Sequence, residues 1–243
     1  MDNYLEIEEK IECFESKTPE ELENSIRQLI KNATRIIVKD PSQAPGDSHL
    51  KSHFGGQPYF EKGEEWPKDR GGYEWNLEFV FQIFNNKNIE LPENIKLIQF
   101  YCELEDDMPL ENDSCFWIVK IYENLDLENA VIIEKPKEHN NVKYCEIEYE
   151  SIKSLPDWVW QNFDEVADKL MGENSAEIGA KRNQLGGYAQ WIQNDESPDE
   201  KDFQLLFQID SEKKAGLSWG DCGKIYVFYD SKNKIFEYIL QCY

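Results

Sequence analysis

Two stretches of this chain carry one pattern in one order. The first runs Phe54-Gly55-Gly56-Gln57-Pro58-Tyr59, then Phe81-Gln82-Ile83, then Ile98-Gln99-Phe100-Tyr101. The second runs Leu185-Gly186-Gly187-Tyr188-Ala189-Gln190, then Phe207-Gln208-Ile209, then Tyr226-Val227-Phe228-Tyr229. Gly55 precedes Gln82 by 27 residues and Gly186 precedes Gln208 by 22; Phe100 and Phe228 follow their glutamines by 18 and 20. An internal duplication with two copies implies a pseudo-symmetric globular body, because a solenoid needs at least about three repeats to bury its faces.

A chain of 243 residues is near the upper size of one cooperative unit, and no Pro/Gly/Ser-rich linker parts the halves. The expected division is an N-terminal segment, 1–40, of helices and a first strand packed on a duplicated domain, 41–243, whose repeat halves span about 54–104 and 185–241. Acidic residues outnumber basic ones by 49 to 26, a net charge of −23 spread along the chain. Such a field repels nucleic-acid phosphate and anionic lipid, and speeds encounter with a basic partner. It also serves solubility. The partners expected are therefore a basic protein or a small ligand, with no nucleic acid and no membrane. Six cysteines, none in a C-x-x-C pair, read as buried thiols in a reducing compartment. No run of about 18 apolar residues is present, and the acidic start lacks a secretory pattern, so the expectation is cytoplasmic.

Tyr4, Ile7, Ile11 and Phe14 fall on one stripe of a short helix. Thr18, Pro19 and Glu21 open a second helix as cap, first-turn proline and capping box, with Leu22, Ile26, Leu29, Ile30 and Ala33 on its face. Residues 35–39 turn β-branched, and 41–56 read as an irregular loop. Strands are expected over 77–83, 96–103, 115–122, 131–133, 143–149, 188–193, 203–209, 224–229 and 234–241, with a helix after Pro156 that lines up Val159, Phe163, Val166 and Leu170. The fold class is α+β, mainly antiparallel, since no βαβα alternation is present.

Gly55-Gly56-x-Pro58, Trp66-Pro67, the two Phe-Gln-Ile strands, Leu185-Gly186-Gly187-Tyr188 with Gln193, Asp210, Trp219-Gly220-Asp221-Cys222-Gly223 and the terminal Gln241-Cys242-Tyr243 together resemble the bacterial YwqG-like family, a domain of unknown function. The resemblance runs from about Gln43 to the C-terminus, and Trp-Gly-Asp-x-Gly is its most specific piece. Phe84 stands where the second copy has Asp210, and Ile95 where it has Gly223, so a site built on that aspartate and glycine would exist only in the second half. The resemblance also implies an association with bacterial toxin and immunity genes.

Direct signs of chemistry are few. His49 and His53 are four apart but lie between Pro45-Gly46 and Gly55-Gly56 without a metalloprotease glutamate, so loop hydrogen bonding is preferred to metal binding. His139 sits in a polar turn. No G-x-S-x-G, dinucleotide or P-loop spacing is present, so no catalytic residue, cofactor or metal is assigned. The glycine pairs read as positive-φ turns or close approaches. Gln82 and Gln208 lie in apolar runs and must find partners or cost about 1–3 kcal/mol each; mutual or backbone satisfaction comes first, a shared pocket second. Asp210 and Asp221, flanked by glycines and Trp219, read as turn closers or as ligands to a cation.

Loop tryptophans must bury their rings or offer a contact surface, which marks a cleft near Trp66, Trp75 and Trp219. The candidate binding residues are Trp66, Trp75, Gln82, Gln190, Gln208, Asp210, Trp219 and Asp221. Three classes follow, in this order: a non-enzymatic acidic interaction module of toxin-neutralising type, a small-ligand protein with a pocket between the halves, and an enzyme using Asp210 and Asp221 as acid and base.

Overall fold

A computed structural model describes residues 2–86, 88–104, 115–137, 142–172, 183–199 and 202–243. Helices α1 (Asp2–Glu15) and α2 (Pro19–Leu29) lead into β1 (Lys31–Val38), β2 (His53–Phe54), β3 (Phe60–Glu61), β4 (Glu78–Phe84), β5 (Leu97–Cys102), β6 (Trp117–Tyr122), β7 (Ala130–Val131) and β8 (Cys145–Ser154). Then come α3 (Asp157–Asn162), α4 (Asp164–Met171), β9 (Asn183–Leu185), β10 (Phe203–Asp210), β11 (Lys224–Asp230) and β12 (Ile235–Gln241). The architecture is mostly antiparallel β. Ten strands form one sheet in the order β12-β11-β10-β9-β1-β8-β2-β4-β5-β6, and β3 pairs with β7 alongside it.

The sheet rolls until its flanks meet. Phe81 of β4 and Phe207 of β10 pack edge to face at 5.1 Å, and Tyr238 of β12 stacks on Trp117 of β6 at 5.2 Å. Lys234, just before β12, pairs with Glu123, just after β6, at 2.7 Å. The inner faces of both flanks thereby share one core, which includes Ile36, Phe54, Phe100, Leu185, Trp219 and Val227. Closure of this kind hides apolar faces that a flat sheet would leave wet.

Thr18 and Glu21 close the expected capping box at the start of α2. The helix stops at Leu29, and Ala33 pairs with Ile152 in β1, because the β-branched run from Thr34 to Val38 favours the pleat. The expected helix after Pro156 is two helices, broken at Phe163 with φ −138° and ψ 38°. Its apolar face survives the break: Val159, Phe163 and Ala167 pack with Ile26 of α2 and Leu155 in a separate helical core that Ile11 and Phe14 of α1 join. The Tyr4 side chain and His139 fall outside the described residues.

Three further expectations differ from the structure. Residues 188–193 are not a strand; the strand lies upstream, at β9. Side chains take up the loop's N–H groups in place of a ladder: Asp157 accepts from Trp191 at 2.7 Å, and Gln241 accepts from Ile192 at 3.1 Å and Gln193 at 3.0 Å. The irregular loop before Gly56 holds the short β2, which joins β8 to β4. Cys102 and Cys145 are buried, whereas Cys13 and Cys222 are exposed. Cys13 lies between Ile11 and Phe14, off their stripe, and Cys222 occupies a positive-φ turn at 52°. Among the described residues no helix is long and apolar enough to cross a membrane.

Candidate functional site

The candidate glutamines anchor loops. Gln82 is fully buried; its Oε1 accepts the Tyr59 N–H at 2.8 Å, and its Nε2 donates to the Lys51 carbonyl at 2.7 Å. Gln208, equally buried, accepts the Gln190 N–H at 2.9 Å. Gln99 donates to the Tyr59 carbonyl at 2.6 Å, and Tyr226 donates to the Gln190 carbonyl at 2.8 Å. One position beyond each Phe-Gln-Ile, the N–H of Phe84 finds Ser52 Oγ at 2.9 Å and that of Asp210 finds Asn183 Oδ1 at 2.8 Å. The backbone does the same work at both positions, so it is indifferent to the exchange of Phe for Asp. Gln82 and Gln208 meet loop backbone, not each other.

Sequence spacing misaligns the third segment by one residue. The β4–β5 register sets Phe100 opposite Phe81, while β10–β11 sets Val227 opposite Phe207. Phe100 therefore corresponds to Val227, and Lys96 stands in the register of Gly223. Phe228 points to the other face, among Leu205, Tyr226 and Ile239.

Trp66, Trp75 and Trp219 do not share a cleft. Trp66 packs with Phe60 and Tyr101, its indole donating to the Leu77 carbonyl at 2.8 Å. Trp219 is fully buried in the main core. Asp221 is exposed and its carbonyl accepts the Tyr243 N–H, while Asp210 is half-buried at the end of β10. Trp75 alone of the three is open, at 52% exposure. It stacks on Tyr73 at 4.9 Å, and Phe116 continues the stack at 6.2 Å from Tyr73. Asp69 holds this hairpin rigid: Oδ1 accepts the Tyr73 N–H at 3.1 Å and Oδ2 the Trp75 N–H at 2.7 Å. Three ring faces are thus held at or near the surface in one fixed arrangement. Tyr73 was legible as the i−2 neighbour of Trp75 after Gly71-Gly72; Phe116 was not.

A pocket of about 440 Å³ opens beside the sheet, between the β4–β5 connection and strands β1, β10 and β11. The β4–β5 connection and the start of β1 form one side, and Gly186, Leu206 and Tyr229 the other. A second pocket, of about 450 Å³, lies between the ends of β6 and β12 and also touches Tyr229. None of the candidate binding residues lines either one. The signal missed was Tyr229 itself, an aromatic in an unbroken apolar strand with nothing in the pattern to separate it from core.

Residues 52–242 match the family model described as domain of unknown function DUF1963. The chain belongs to that family. No curated protein matches it. The sheet is not confined to the DUF1963 match, because β1 lies upstream of residue 52 yet sits between β8 and β9.

Two buried titratable groups in this DUF1963 protein pull in opposite directions. His53 is fully buried against Phe79 and Tyr144, and loss of water pushes its imidazole down to about 4. Burial pushes the Asp157 carboxyl up to about 6, against the Trp191 N–H and the Lys224 ammonium, which favour its charge. Lys224 itself is 1% exposed and donates to the Gln190 carbonyl at 3.0 Å. A histidine with a depressed pKa contributes stability above the unfolded value of about 6.5 and loses it as pH falls toward 4, at a full cost of about 3 kcal/mol. A carboxyl with a raised pKa does the reverse: its stabilisation is complete below about 3.9 and is lost as pH rises through 6. Asp157 keeps some contact with water, so its share is the smaller. Urea midpoints followed from pH 7 to 4 are expected to fall more steeply in Asp157→Asn than in the parent, and to rise on acidification in His53→Phe. Parallel curves for all three proteins would refute the assignment.

Proposed function

We propose that the protein is a non-enzymatic acidic interaction module, of toxin-neutralising type, that docks a basic protein on the Tyr73–Trp75–Phe116 stack. The observation that carries this is the exposed, Asp69-braced stack on a body of net charge −23. Aromatic rings that stand open at 52–60% exposure supply contact area, and the net charge of −23 supplies the sign that draws a cation. The resemblance to YwqG-like motifs, and the toxin neighbourhoods it implies, support the same reading, and we place the protein in the cytoplasm as part of it.

We read the chain as an ancestral half copied and fused. The support is the pairing of like contacts: each glycine pair in positive φ, each glutamine on the N–H of the residue four beyond its first glycine, and each strand bulged just before its Phe-Gln-Ile.

The test is affinity capture from the native host at low and high salt. The parent protein is expected to retain a basic protein at low salt and release it at high salt, and Tyr73→Ala/Trp75→Ala is expected to lower its recovery roughly ten-fold or more. Capture of no basic protein, or capture indifferent to the double substitution, would refute the proposal. The pocket beside the sheet favours a second reading, a small-ligand protein.

A further inference from the structure

The rolled sheet closes through side chains and leaves its seam without a ladder. Strands β6 and β12 are its two ends, and the roll brings them alongside each other in opposite directions, Trp117 against Tyr238 and Glu123 against Lys234. Among the described residues no backbone hydrogen bond joins the two strands. The β5–β6 register shows which groups this leaves open. Phe116 accepts the Glu103 N–H at 2.9 Å and Tyr122 accepts the Lys96 N–H at 2.7 Å, while Ile118 and Lys120 lie opposite Tyr101 and Gln99. Antiparallel bonding alternates along a strand, so these residues turn their main chain to β5, and Trp117, Val119 and Ile121 turn theirs to the seam. No hydrogen bond reaches the main chain of Trp117, Val119 or Ile121 on that side among the described residues. Two buried side chains at the seam are short of a partner as well. The Trp117 indole N–H and the Tyr238 hydroxyl bond nothing among the described residues, although the two residues are only 5% and 1% exposed. Buried donors are normally paired.

We propose that the free edge of β6 takes up an extended segment of a basic protein as an added strand, lying in the seam between β6 and β12. The segment's N–H and C=O groups ladder with Trp117, Val119 and Ile121, and it brings acceptors to the seam where the Trp117 and Tyr238 donors stand. The contacts that hold the seam are an aromatic stack and an exposed ion pair, so a strand enters without breaking any ladder. The two-residue period sets its composition. Apolar side chains face the core that Trp117 and Val119 enter, and Lys or Arg face outward on a body of net charge −23. The same charge argues against a second copy of this chain as occupant, since two such bodies repel. The proposal rests on the interaction-module reading above, and the two surfaces are continuous. Phe116 of the aromatic stack immediately precedes Trp117, and the Arg70 N–H ties the Tyr73–Trp75 hairpin to the Cys115 carbonyl at 2.9 Å, where the free edge begins. At its other end the seam opens into the pocket of about 450 Å³ lined by Glu123 and Phe236.

The experiment is amide hydrogen exchange followed by NMR on the full chain, alone and with a synthetic peptide about seven residues long that alternates valine with arginine. In the free protein the Trp117, Val119 and Ile121 amides are expected to exchange roughly ten-fold or more faster than those of Ile118 and Lys120, and the peptide to slow them roughly ten-fold or more. The same peptide with methylated backbone nitrogens, and one with glutamate in place of arginine, are expected to leave these amides unchanged. Trp117, Val119 and Ile121 amides as protected in the free chain as those of Ile118 and Lys120 show a closed edge and overturn the proposal. An arginine peptide that slows none of them overturns it as well; if it still shifts the Tyr73 and Trp75 signals, the aromatic docking surface stands. Slowing that persists undiminished in Tyr73→Ala/Trp75→Ala upholds the added strand and removes the stack from the docking reading.

Discussion

A chain trimmed to the family match, residues 52–242, is expected to aggregate instead of folding. The trim removes β1, which pairs with β8 along its whole length, from Lys31↔Ser154 to Val38↔Ile147, and with β9 from Thr34↔Leu185 to Ile36↔Asn183. Without it the sheet is cut in the middle. Two strands are left with open N–H and C=O rows, which template pairing with other chains. The core loses Ala33, Ile36 and Val38, each at most 5% exposed, and the Glu90 N–H loses its 2.8 Å bond to Thr34. Burial of three such side chains is worth about 1.5–3 kcal/mol for each larger one, before any ladder is counted, against a total stability of about 5–15 kcal/mol. A chain of residues 30–243 keeps β1 and gives up α1 and α2, so it exposes one face of the helical core only. It is expected to stay monomeric and to unfold cooperatively at a lower urea concentration. Size-exclusion chromatography with circular dichroism separates the two cases, and a monomeric, cooperatively unfolding 52–242 fragment would sink the argument.

How much of this was legible in the sequence depended on whether a residue's local pattern determined its surroundings. The capping box at Thr18 involves groups three residues apart, so its geometry follows from the sequence alone. The apolar strands of residues 78–84, 97–102 and 224–230 were equally plain, because both faces of each are buried. Register was less so. A slip of one residue turns every side chain to the opposite face, and the string Tyr226-Val227-Phe228-Tyr229 is apolar on both faces, so nothing in the pattern set Val227 rather than Phe228 against the core. The tryptophans show the limit most clearly. Trp66, Trp75 and Trp219 all sit in Gly- or Pro-containing loops, yet two are core and one is exposed, because what surrounds them comes from distant strands. The pocket was out of reach for the same reason. Lys31, Glu90 and Tyr229 are brought together by the roll of the sheet, and no spacing rule connects them.

The two glycine pairs test how far likeness of sequence carries likeness of consequence. Gly55 and Gly186 have nearly the same backbone, at φ +56° and +62°, so an alanine at either incurs a left-handed cost of about 1–2 kcal/mol. Their neighbours differ. A Cβ on Gly55 would stand 2.4 Å from the Val142 carbonyl oxygen and 2.6 Å from the Lys143 carbonyl carbon and oxygen, all backbone. That segment has little room to yield, since the Lys143 N–H is tied to the Ala215 carbonyl at 2.8 Å and Val142 is buried. A Cβ on Gly186 meets Glu90 Cβ at 3.0 Å and the Glu90 carbonyl at 3.3 Å, contacts that a shift of a few tenths of an ångström relieves. Gly72, at φ +86° with nothing within 4 Å, isolates the backbone cost. Urea unfolding is therefore expected to rank the alanine variants Gly72, Gly186, Gly55 in rising order of damage. Gly55→Ala should lose about 3–5 kcal/mol once the displaced Val142–Lys143 backbone is added to the left-handed cost. Gly72→Ala should lose about 1–2 kcal/mol. Equal losses at Gly55 and Gly72 would mean that the Val142–Lys143 backbone does not approach Gly55 this closely in solution. The packing of β2 between β8 and β4 would then need another explanation, because that approach is what lets the glycine turn lie flat against the end of β8.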